Sequence, residues 1–328
     1  MHHLVITGRI DAEVREQISR EHPEMTVSQW RGQGAIPRAI LLKWVHDADA
    51  VLCMLTERID QEFLDQAPHL RIVSNMAVGY DNLDLPALTA RGILATNTPD
   101  VLTESTAELA MALMLVVLRR MRSAEEDLRQ GLWTGWSPDG FLGAELYGKT
   151  LGLIGFGRIA GAVLRRAQAF GMAVQVYSRR TVPDLPHGVR QVDWETVTAE
   201  CDIISLHVPL SPSTYHMLDA DALARMRRNA VVINTARGPV VDELALALAI
   251  QEHRIAGAGL DVFEQEPLPP DSPLLGLPGV VLLPHVGSAT VETRRAMALR
   301  AWTNIRSLVE GKAPADALNP AVWPESRR

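Results

Sequence analysis

Cysteine is scarce in this chain of 328 residues, which contains only Cys53 and Cys201. The two lie far apart in sequence, so they form neither a disulfide framework nor the closely spaced pair that is typical of a metal site. We therefore expect no bound metal ion. A chain without disulfides suits a reducing compartment better than an oxidising one, and we expect a cytoplasmic location.

An excess of basic residues is also missing. The 32 lysines and arginines are outnumbered by 39 aspartates and glutamates, which gives a net charge of −7 and no reason to expect a nucleic acid or an anionic membrane as partner. The longest apolar run, Leu109 to Leu118, has ten residues; it is too short to span a bilayer and predicts a buried helix. The opening letters, MHHLVITGRI, lack the pattern of a signal peptide and predict a first strand instead.

What the chain does contain is a repeated alternation of short apolar strands and helices. In the first part, strands are predicted over 3–7, 49–55, 71–78 and 93–97, with helical stretches that include 11–21, 61–67 and 84–91. Alternation of this kind favours a parallel sheet with helices on both faces.

A second set of elements begins with one long predicted helix over 103–131. Six strands follow, over 150–155, 173–178, 202–208, 230–235, 256–262 and 280–284. Six such strands fit a doubly wound dinucleotide-binding fold. A last helix over 289–311 precedes a short tail, and we expect this C-terminal part to return to the first set of elements.

A glycine-rich turn joins the first strand of the second set to its helix. The letters GFGRIA place Gly155, Phe156, Gly157, Arg158 and Ile159 ahead of Ala160. The first glycine permits the tight turn, the second lets the backbone approach a pyrophosphate, and the small alanine allows the helix to pack on the strand. The free N–H groups at the start of the helix then face an anion, so we predict a dinucleotide here.

The next strand ends in Ser178, Arg179 and Arg180, where enzymes that use NAD usually carry an acidic residue for the ribose hydroxyl. A carboxylate would repel a 2′-phosphate, whereas a serine can donate to it and arginines can neutralise it. We therefore predict NADP(H) in preference to NAD(H), with Arg179 as the first candidate. The alternative is a solvated basic turn that contacts nothing.

Three stretches place charged or titratable residues directly after strands, namely NTARGPVVDELAL (234–246), GLDVFEQEPLP (259–269) and LLPHVGSAT (282–290). With these, and with TPDVLTESTAELA and LWTGWSP, the chain resembles the D-isomer-specific 2-hydroxyacid dehydrogenases from end to end, most closely the glyoxylate/hydroxypyruvate reductases. The resemblance implies an α/β fold with two doubly wound parallel-sheet domains. A Rossmann cofactor domain (99–286) is expected within a flavodoxin-like substrate domain (1–98 and 287–328).

The resemblance also implies a catalytic trio. Arg237 corresponds to the arginine whose planar fork holds a 2-oxo acid, His285 to the acid–base histidine, and Glu266 to its acidic partner. His285 would protonate the keto oxygen as hydride reaches C2, and Glu266 would favour its imidazolium form.

Further contacts carry over from the family to single positions. For substrate they are Leu55, Val78, Gly79 and Trp136, together with Arg237 and His285. For the dinucleotide they are Thr106, Val208, Pro209, Thr235, Ala236, Asp261 and Gly287, together with Arg237, His285 and the residues of the glycine-rich turn and of the Ser-Arg-Arg segment. Leu55 could equally be plain core, and Asp261 could cap a helix instead of contacting the cofactor. Trp133 is a second candidate beside Trp136.

The expected function is NADPH-preferring reduction of small 2-oxo acids such as glyoxylate and hydroxypyruvate to D-2-hydroxy acids. Relatives form homodimers through their cofactor domains and pass a tryptophan into the partner's site, which implies the same here; local core packing is the alternative for the tryptophans. Other D-2-hydroxyacid, phosphite or phosphoglycerate dehydrogenases remain alternatives, as does a dinucleotide-sensing protein like the corepressors of this fold.

Overall fold

The computed structural model describes residues 1–323. The chain divides into two compact units, the first formed by Met1–Leu102 with the segment from Ala289 onward and the second by Thr103–Ser288. Among the described residues, no helix is long and apolar enough to cross a membrane. Within the same residues, no group of three or more His, Cys, Asp or Glu side chains could hold a metal ion.

The first unit is built on a five-stranded parallel sheet. Its strands are β1 (His3–Ile6), β2 (Thr26–Gln29), β3 (Ala50–Cys53), β4 (Ile72–Asn75) and β5 (Leu94–Thr96). Its helices before the second unit are α1 (Ala12–Glu21), α2 (Arg38–Val45), α3 (Gln61–Asp65) and α4 (Leu85–Ala90). The strand order β2-β1-β3-β4-β5 is that of flavodoxin-like folds, which confirms the predicted fold.

The second unit carries a seven-stranded parallel sheet. Its strands are β6 (Thr150–Ile154), β7 (Ala173–Tyr177), β8 (Val189–Gln191), β9 (Ile203–Leu206), β10 (Val231–Asn234), β11 (Gly257–Leu260) and β12 (Val280–Leu282). Its helices are α5 (Thr103–Leu118), α6 (Met121–Arg129), α7 (Arg158–Ala169), α8 (Trp194–Glu200), α9 (Ala220–Arg225) and α10 (Glu243–Gln251), with short 3₁₀ turns at Gly238–Val240 and Pro273–Gly276. The order β12-β11-β10-β9-β6-β7-β8 is the Rossmann order with one strand added after the sixth.

Two edge strands are absent from the sequence prediction. The letters of β2, TVSQ, and of β8, VRQ, are largely polar and only partly buried. The interior strands β3, β4, β9 and β10 are buried at every position and therefore read as apolar runs. An edge strand keeps solvent on one side, so its apolar pattern is too weak to distinguish it from a loop.

The single helix predicted over 103–131 is wrong, because the chain breaks it between α5 and α6. Arg120 has φ of 51°, a left-handed conformation that cannot continue an α-helix. The carbonyl of Leu118 accepts instead from the N–H of Ala144 at 2.9 Å, in the loop that returns to β6. α5 is buried against the sheet, whereas α6 has no buried residue.

The C-terminal helix α11 (Val291–Val309) belongs to the first unit. Its Trp302 is fully buried and donates from Nε1 to Glu21 on α1 at 2.9 Å. The carbonyl of Ala301 accepts from Ser74 of β4 at 3.0 Å. After the helix, Ala317 forms an isolated bridge with Thr96 of β5, and a 3₁₀ turn follows at Pro320–Val322.

Candidate active site

The glycine-rich turn between β6 and α7 is shaped to bring backbone close to a ligand. Gly155 has φ of 86°, and a Cβ there would lie 2.8 Å from both the carbonyl oxygen of His207 and a methyl group of Val208. Gly157 is the N-cap of α7 and faces open space, since a Cβ there would meet nothing within 4 Å. Ala160 is fully buried against the sheet. The turn therefore presents the start of α7, with no capping side chain, to an anion.

One side chain, that of Gln191, fixes the backbone of the Ser-Arg-Arg segment after β7. Gln191 donates from Nε2 to the carbonyls of Ser178 at 3.0 Å and Arg180 at 2.8 Å, and its Oε1 accepts from Val182 at 2.9 Å. Arg179 donates to the hydroxyl of Ser213 at 2.6 Å. This contact turns the Arg179 guanidinium towards the loop that follows β9.

Val208 and Pro209 begin that loop. Val208 is half-buried beside Gly155, and Pro209 is exposed. The preceding His207 has its Nε2 within 2.9 Å of the Ser205 hydroxyl, and burial lowers the pKa of this imidazole to about 4, so it is neutral near pH 7.

His285 and Glu266, the two residues that the family resemblance implies for acid–base chemistry, form a direct pair. Nδ1 of His285 lies 2.8 Å from Oε2 of Glu266, while Oε1 accepts from the N–H of Phe263 at 3.1 Å. Burial opposes ionisation of Glu266, but the hydrogen bond and charge of His285, with smaller contributions from Phe263 and Arg237, hold its pKa below the usual value. The side chains of His285 and Glu266 are 24% and 33% exposed, so a small molecule can reach them.

Asp261 organises the loop that carries His285. Its two carboxylate oxygens accept from the N–H groups of Val286 at 2.7 Å and Gly287 at 2.8 Å, and its carbonyl accepts from the N–H of His285 at 2.9 Å. Thr106 donates to the Gly287 carbonyl at 3.3 Å. Burial raises the pKa of Asp261, although the two N–H donors favour its ionised form. Asp261 thus does not cap a helix; it fixes the turn of His285, whose φ is 54°.

Arg237 follows β10 and is set by the preceding turn. Asn234 donates to the Arg237 carbonyl at 2.9 Å and accepts from the N–H of Ala236 at 3.0 Å. The next residue, Gly238, lies so close to Phe263 that a Cβ there would be 1.8 Å from its carbonyl carbon. This contact brings the Arg237 turn against the segment of Glu266, whose pKa the Arg237 charge lowers.

Sequence reasoning missed a second histidine–glutamate pair in the same unit. Nε2 of His216 lies 2.9 Å from Oε1 of Glu264, and the backbone N–H of His216 donates to Pro239. Glu264 and Glu243 exchange hydrogen bonds between the backbone N–H of each and the carboxylate of the other. Burial raises the pKa of Glu243. No motif links these positions, because they come from two separate loops and from the start of α10.

Leu55, Val78 and Gly79 lie in the first unit, after β3 and β4. All three are half-buried, so Leu55 is not plain core. Asn82 joins the two loops, because it donates to the carbonyls of Met54 and Glu57 while its Oδ1 accepts from Asn75.

The tryptophans of the LWTGWSP stretch are exposed. Trp136 is 84% and Trp133 53% exposed, within the segment 130–149 between α6 and β6, which we call the arm segment. Leu132, Leu142 and Tyr147 of the same segment are also exposed. Local core packing therefore does not account for these tryptophans.

Comparison with known proteins gives consistent matches along the chain. Residues 111–287 match the D-isomer specific 2-hydroxyacid dehydrogenase, NAD binding domain. The chain is 45% identical to the glyoxylate reductase of Korarchaeum cryptofilum over 317 residues (93% of this chain, 96% of the relative) and 47% identical to that of Thermococcus litoralis over 306 residues (92% of each). It resembles the solved NADPH-dependent glyoxylate/hydroxypyruvate reductase of Sinorhizobium meliloti, in complex with NADP and malonate, with a TM-score of 0.84, 36% identity and 97% of each chain covered.

Proposed function

Because the chain belongs to the D-isomer specific 2-hydroxyacid dehydrogenase family, it is a nicotinamide-dinucleotide-dependent oxidoreductase, and we propose that it reduces small 2-oxo acids, glyoxylate first among them, to 2-hydroxy acids of the D series. The observation that carries the proposal is the His285–Glu266 pair, 2.8 Å apart, in the unit that holds the phosphate-binding turn. Relatives named glyoxylate reductase support glyoxylate as substrate.

The proposed dinucleotide fits the second unit on two observations. Gly157 leaves open space at the start of α7, where a pyrophosphate would lie. Thr235 has a buried hydroxyl without a hydrogen-bond partner among residues 1–323, directly after β10. A buried hydroxyl of this kind is costly unless a ligand satisfies it, and Thr235 with Ala236 would contact the nicotinamide half. When bound, the reduced dinucleotide supplies the hydride that reaches C2 of the substrate.

The catalytic roles follow from the hydrogen bonds of the trio. Glu266 occupies Nδ1 of His285, so Nε2 is the nitrogen that can give a proton to the keto oxygen. The same contact with Glu266 fixes the orientation of the imidazole ring. Arg237 would hold the substrate carboxylate and polarise its keto group through its planar fork. A positioned general acid typically contributes on the order of 10²–10⁴ in rate, and in oxidation His285 would take the proton back.

We further propose that NADPH is preferred to NADH. The first positions after β7 carry no carboxylate, and the Ser178 hydroxyl and the Arg179 guanidinium offer a donor and a charge to a 2′-phosphate. The contact of Arg179 with Ser213 at 2.6 Å fixes the arginine towards the loop of Val208 and Pro209. The Sinorhizobium meliloti relative, which is NADPH-dependent, supports this preference.

A homodimer through the cofactor unit is part of the proposal. The arm segment exposes two tryptophans, two leucines, a phenylalanine and a tyrosine, and large exposed apolar patches mark interaction surfaces. Trp136 would then serve the partner's substrate site, as the family resemblance implies. The cytoplasmic location stays a prediction, based on two buried free cysteines.

An absorbance assay at 340 nm tests the function. Purified protein is mixed with NADPH or NADH and with glyoxylate, hydroxypyruvate or pyruvate, and initial rates give kcat/KM for each pair. We expect turnover, highest with glyoxylate or hydroxypyruvate, and a higher kcat/KM for NADPH. If the protein binds the dinucleotide but turns over no 2-oxo acid, the proposed enzyme activity is contradicted and a dinucleotide-sensing protein is favoured. Turnover at equal efficiency with both dinucleotides would contradict only the NADPH preference.

A further inference from the structure

Three consecutive backbone carbonyls after β4 are fixed by donors from the same unit. The carbonyl of Ala77 accepts from the N–H of Thr98 at 2.9 Å. The carbonyl of Val78 accepts from Nδ2 of Asn97 at 2.8 Å, and the carbonyl of Gly79 accepts from Nδ2 of Asn75 at 2.9 Å. Each carbonyl therefore points into the unit.

The peptide group is planar and trans, so the N–H that follows each fixed carbonyl points the opposite way. The three N–H groups are those of Val78, Gly79 and Tyr80. Within residues 1–323, none of them donates to a protein acceptor. Val78 and Gly79 are half-buried and Tyr80 is exposed. Successive backbone N–H groups without a protein acceptor are the donors with which a loop binds an oxyanion.

Of these three peptide groups, the one between Val78 and Gly79 depends most on a hydrogen bond that fixes its orientation. Glycine accepts backbone conformations of either sign of φ, so a peptide that precedes it can turn over at little steric cost. If it turned, the Val78 carbonyl would replace the Gly79 N–H at the site and repel an anion. The only donor that holds this carbonyl among the described residues is the Asn97 amide.

Asn97 is itself well supported. Its side chain and backbone are almost fully buried, at 9% exposure, so water competes poorly for the hydrogen bond. Its own carbonyl accepts from Asn304 of α11 at 3.3 Å, and Asn304 also donates to Asp316 at 3.0 Å. Asp316 forms a two-point ion pair with Arg300, at 2.6 and 2.7 Å. The C-terminal segment thus holds Asn97 in place, and Asn97 in turn holds the loop after β4.

We propose that Asn97 is a positioning residue for substrate: with Asn75, it holds the N–H groups of Val78, Gly79 and Tyr80 as a cradle for the substrate carboxylate. The inference rests on the proposed function, because it takes a 2-oxo acid as the anion. The family resemblance already implies the backbone N–H groups of Val78 and Gly79 as donors to the substrate carboxylate. The inference adds Tyr80 as a third backbone donor and gives both asparagines a role in binding. An aspartate at position 97 would not serve, since an ionised carboxylate cannot donate to the Val78 carbonyl.

The test replaces Asn97 by leucine, which has similar bulk and no donor. Steady-state kinetics with glyoxylate at saturating NADPH give kcat and KM, and inhibition by oxamate gives a Ki for a carboxylate that does not react. The loss of a hydrogen bond to a charged group typically changes an equilibrium constant about tenfold or more. We expect KM and Ki to rise together by at least about tenfold, with a smaller change in kcat. Asn75→Leu should raise the same two constants.

Asn319→Leu is the matched control. Asn319 is a buried asparagine of the same unit that binds the backbone of Ala95 and Ile93 and does not contact the Val78 loop. It should lower Tm without raising KM or Ki, and the Kd of NADPH from fluorescence should stay unchanged in all variants. The inference fails if Asn97→Leu keeps KM and Ki within twofold of the parent, or if Asn319→Leu raises them equally. A parent protein that reduces no 2-oxo acid would instead contradict the proposed function itself.

Discussion

Protonation and charge at single residues decide how the proposed chemistry proceeds. Glu266 accepts hydrogen bonds from the His285 ring and the Phe263 N–H. It remains ionised at neutral pH because these contacts, with the Arg237 charge, outweigh the cost of its burial. Asp261 works differently, since both of its oxygens bind backbone N–H groups beside His285. One carboxylate therefore orients the histidine ring, and the other fixes the backbone next to it.

Removal of the Arg237 guanidinium should abolish most of the activity. In Arg237→Ala the substrate loses the fork that orients its carboxylate and keto group, and we expect kcat/KM for glyoxylate to fall by at least about 10²-fold. Arg237→Lys keeps the charge and loses the planar geometry, so it should recover only part of this loss. Steady-state rates at 340 nm measure both. Near-normal kcat/KM in Arg237→Ala would show that Arg237 does not bind substrate.

Glu266→Gln should lower the activity and change the pH dependence of stability. Because the pKa of Glu266 is lower in the folded protein than its ordinary 4.5, the ionised form stabilises the fold above that pH, and this contribution is lost as the pH falls through the folded pKa. The Tm difference between parent and Glu266→Gln should therefore be constant near neutrality and shrink in acid. In addition, kcat for reduction should fall at least about tenfold, because the His285 ring loses the carboxylate that fixes its orientation.

Calorimetry between pH 3 and pH 8 and steady-state measurements of kcat test this prediction. A Tm difference that grows in acid, or an unchanged kcat, would contradict the role given to Glu266.

The preference for NADPH should depend on two neighbouring side chains. Ser178→Asp combined with Arg179→Ala places a carboxylate against the 2′-phosphate and removes a cation, so the ratio of kcat/KM for NADPH to that for NADH should fall at least about tenfold. Arg190→Ala is the control, because Arg190 is an exposed arginine on the adjacent strand β8. An unchanged ratio in the double variant would leave Ser178 and Arg179 as part of a solvated turn.

At the scale of elements, each proposed site lies where a strand of a parallel sheet ends. The glycine-rich turn follows β6, Arg237 follows β10 and His285 follows β12, all within one sheet. Parallel strands bring their carboxyl ends to one edge, which is why residues from distant parts of the sequence meet. Two loops after β11 and β10 touch at Gly238, where there is no room for a Cβ.

The start of α7 offers a test of this element with a matched pair of glycines. A Cβ at Gly157 or at Gly161 would meet nothing within 4 Å, so neither alanine variant clashes with the protein. Gly157→Ala should raise KM for NADPH about tenfold or more, because its methyl occupies the space that the backbone leaves for the pyrophosphate. Gly161→Ala, inside α7, should keep KM and stabilise the helix by about 1 kcal/mol.

Kinetics with varied NADPH and thermal melts measure both variants. Equal KM values for NADPH in the two would place the pyrophosphate elsewhere than at the N-terminus of α7.

At the scale of the whole molecule, the arm segment is notable because one chain alone leaves its large apolar side chains exposed to water. It contains no helix or strand, and its tryptophans are the most costly groups to expose to water. Trp136→Ser should therefore weaken the proposed homodimer and shift the mass measured by light scattering towards that of one chain at micromolar concentration. Leu244→Ser, at a leucine that is exposed on α10, is the control and should leave the mass unchanged. A parent protein that is monomeric at all concentrations would contradict the dimer.

The sequence alone determined the buried parts of this protein. Interior strands such as β3, β4, β9 and β10 are apolar throughout because both faces are covered, so their letters reveal them. The glycine-rich turn is also legible, since a tight turn restricts the residue types that can form it, whereas Arg237, Glu266 and His285 were predicted through the family resemblance.

Only the tertiary structure decided the contacts between segments. The edge strands β2 and β8, the break at Arg120 and the pairing of His216 with Glu264 depend on partners that lie far away in sequence, and no local pattern encodes them. The same holds for Asn97, whose amide turns a distant peptide so that its N–H faces outward. Side-chain pattern reports burial, whereas hydrogen bonds between loops form only after the sheet has brought those loops together.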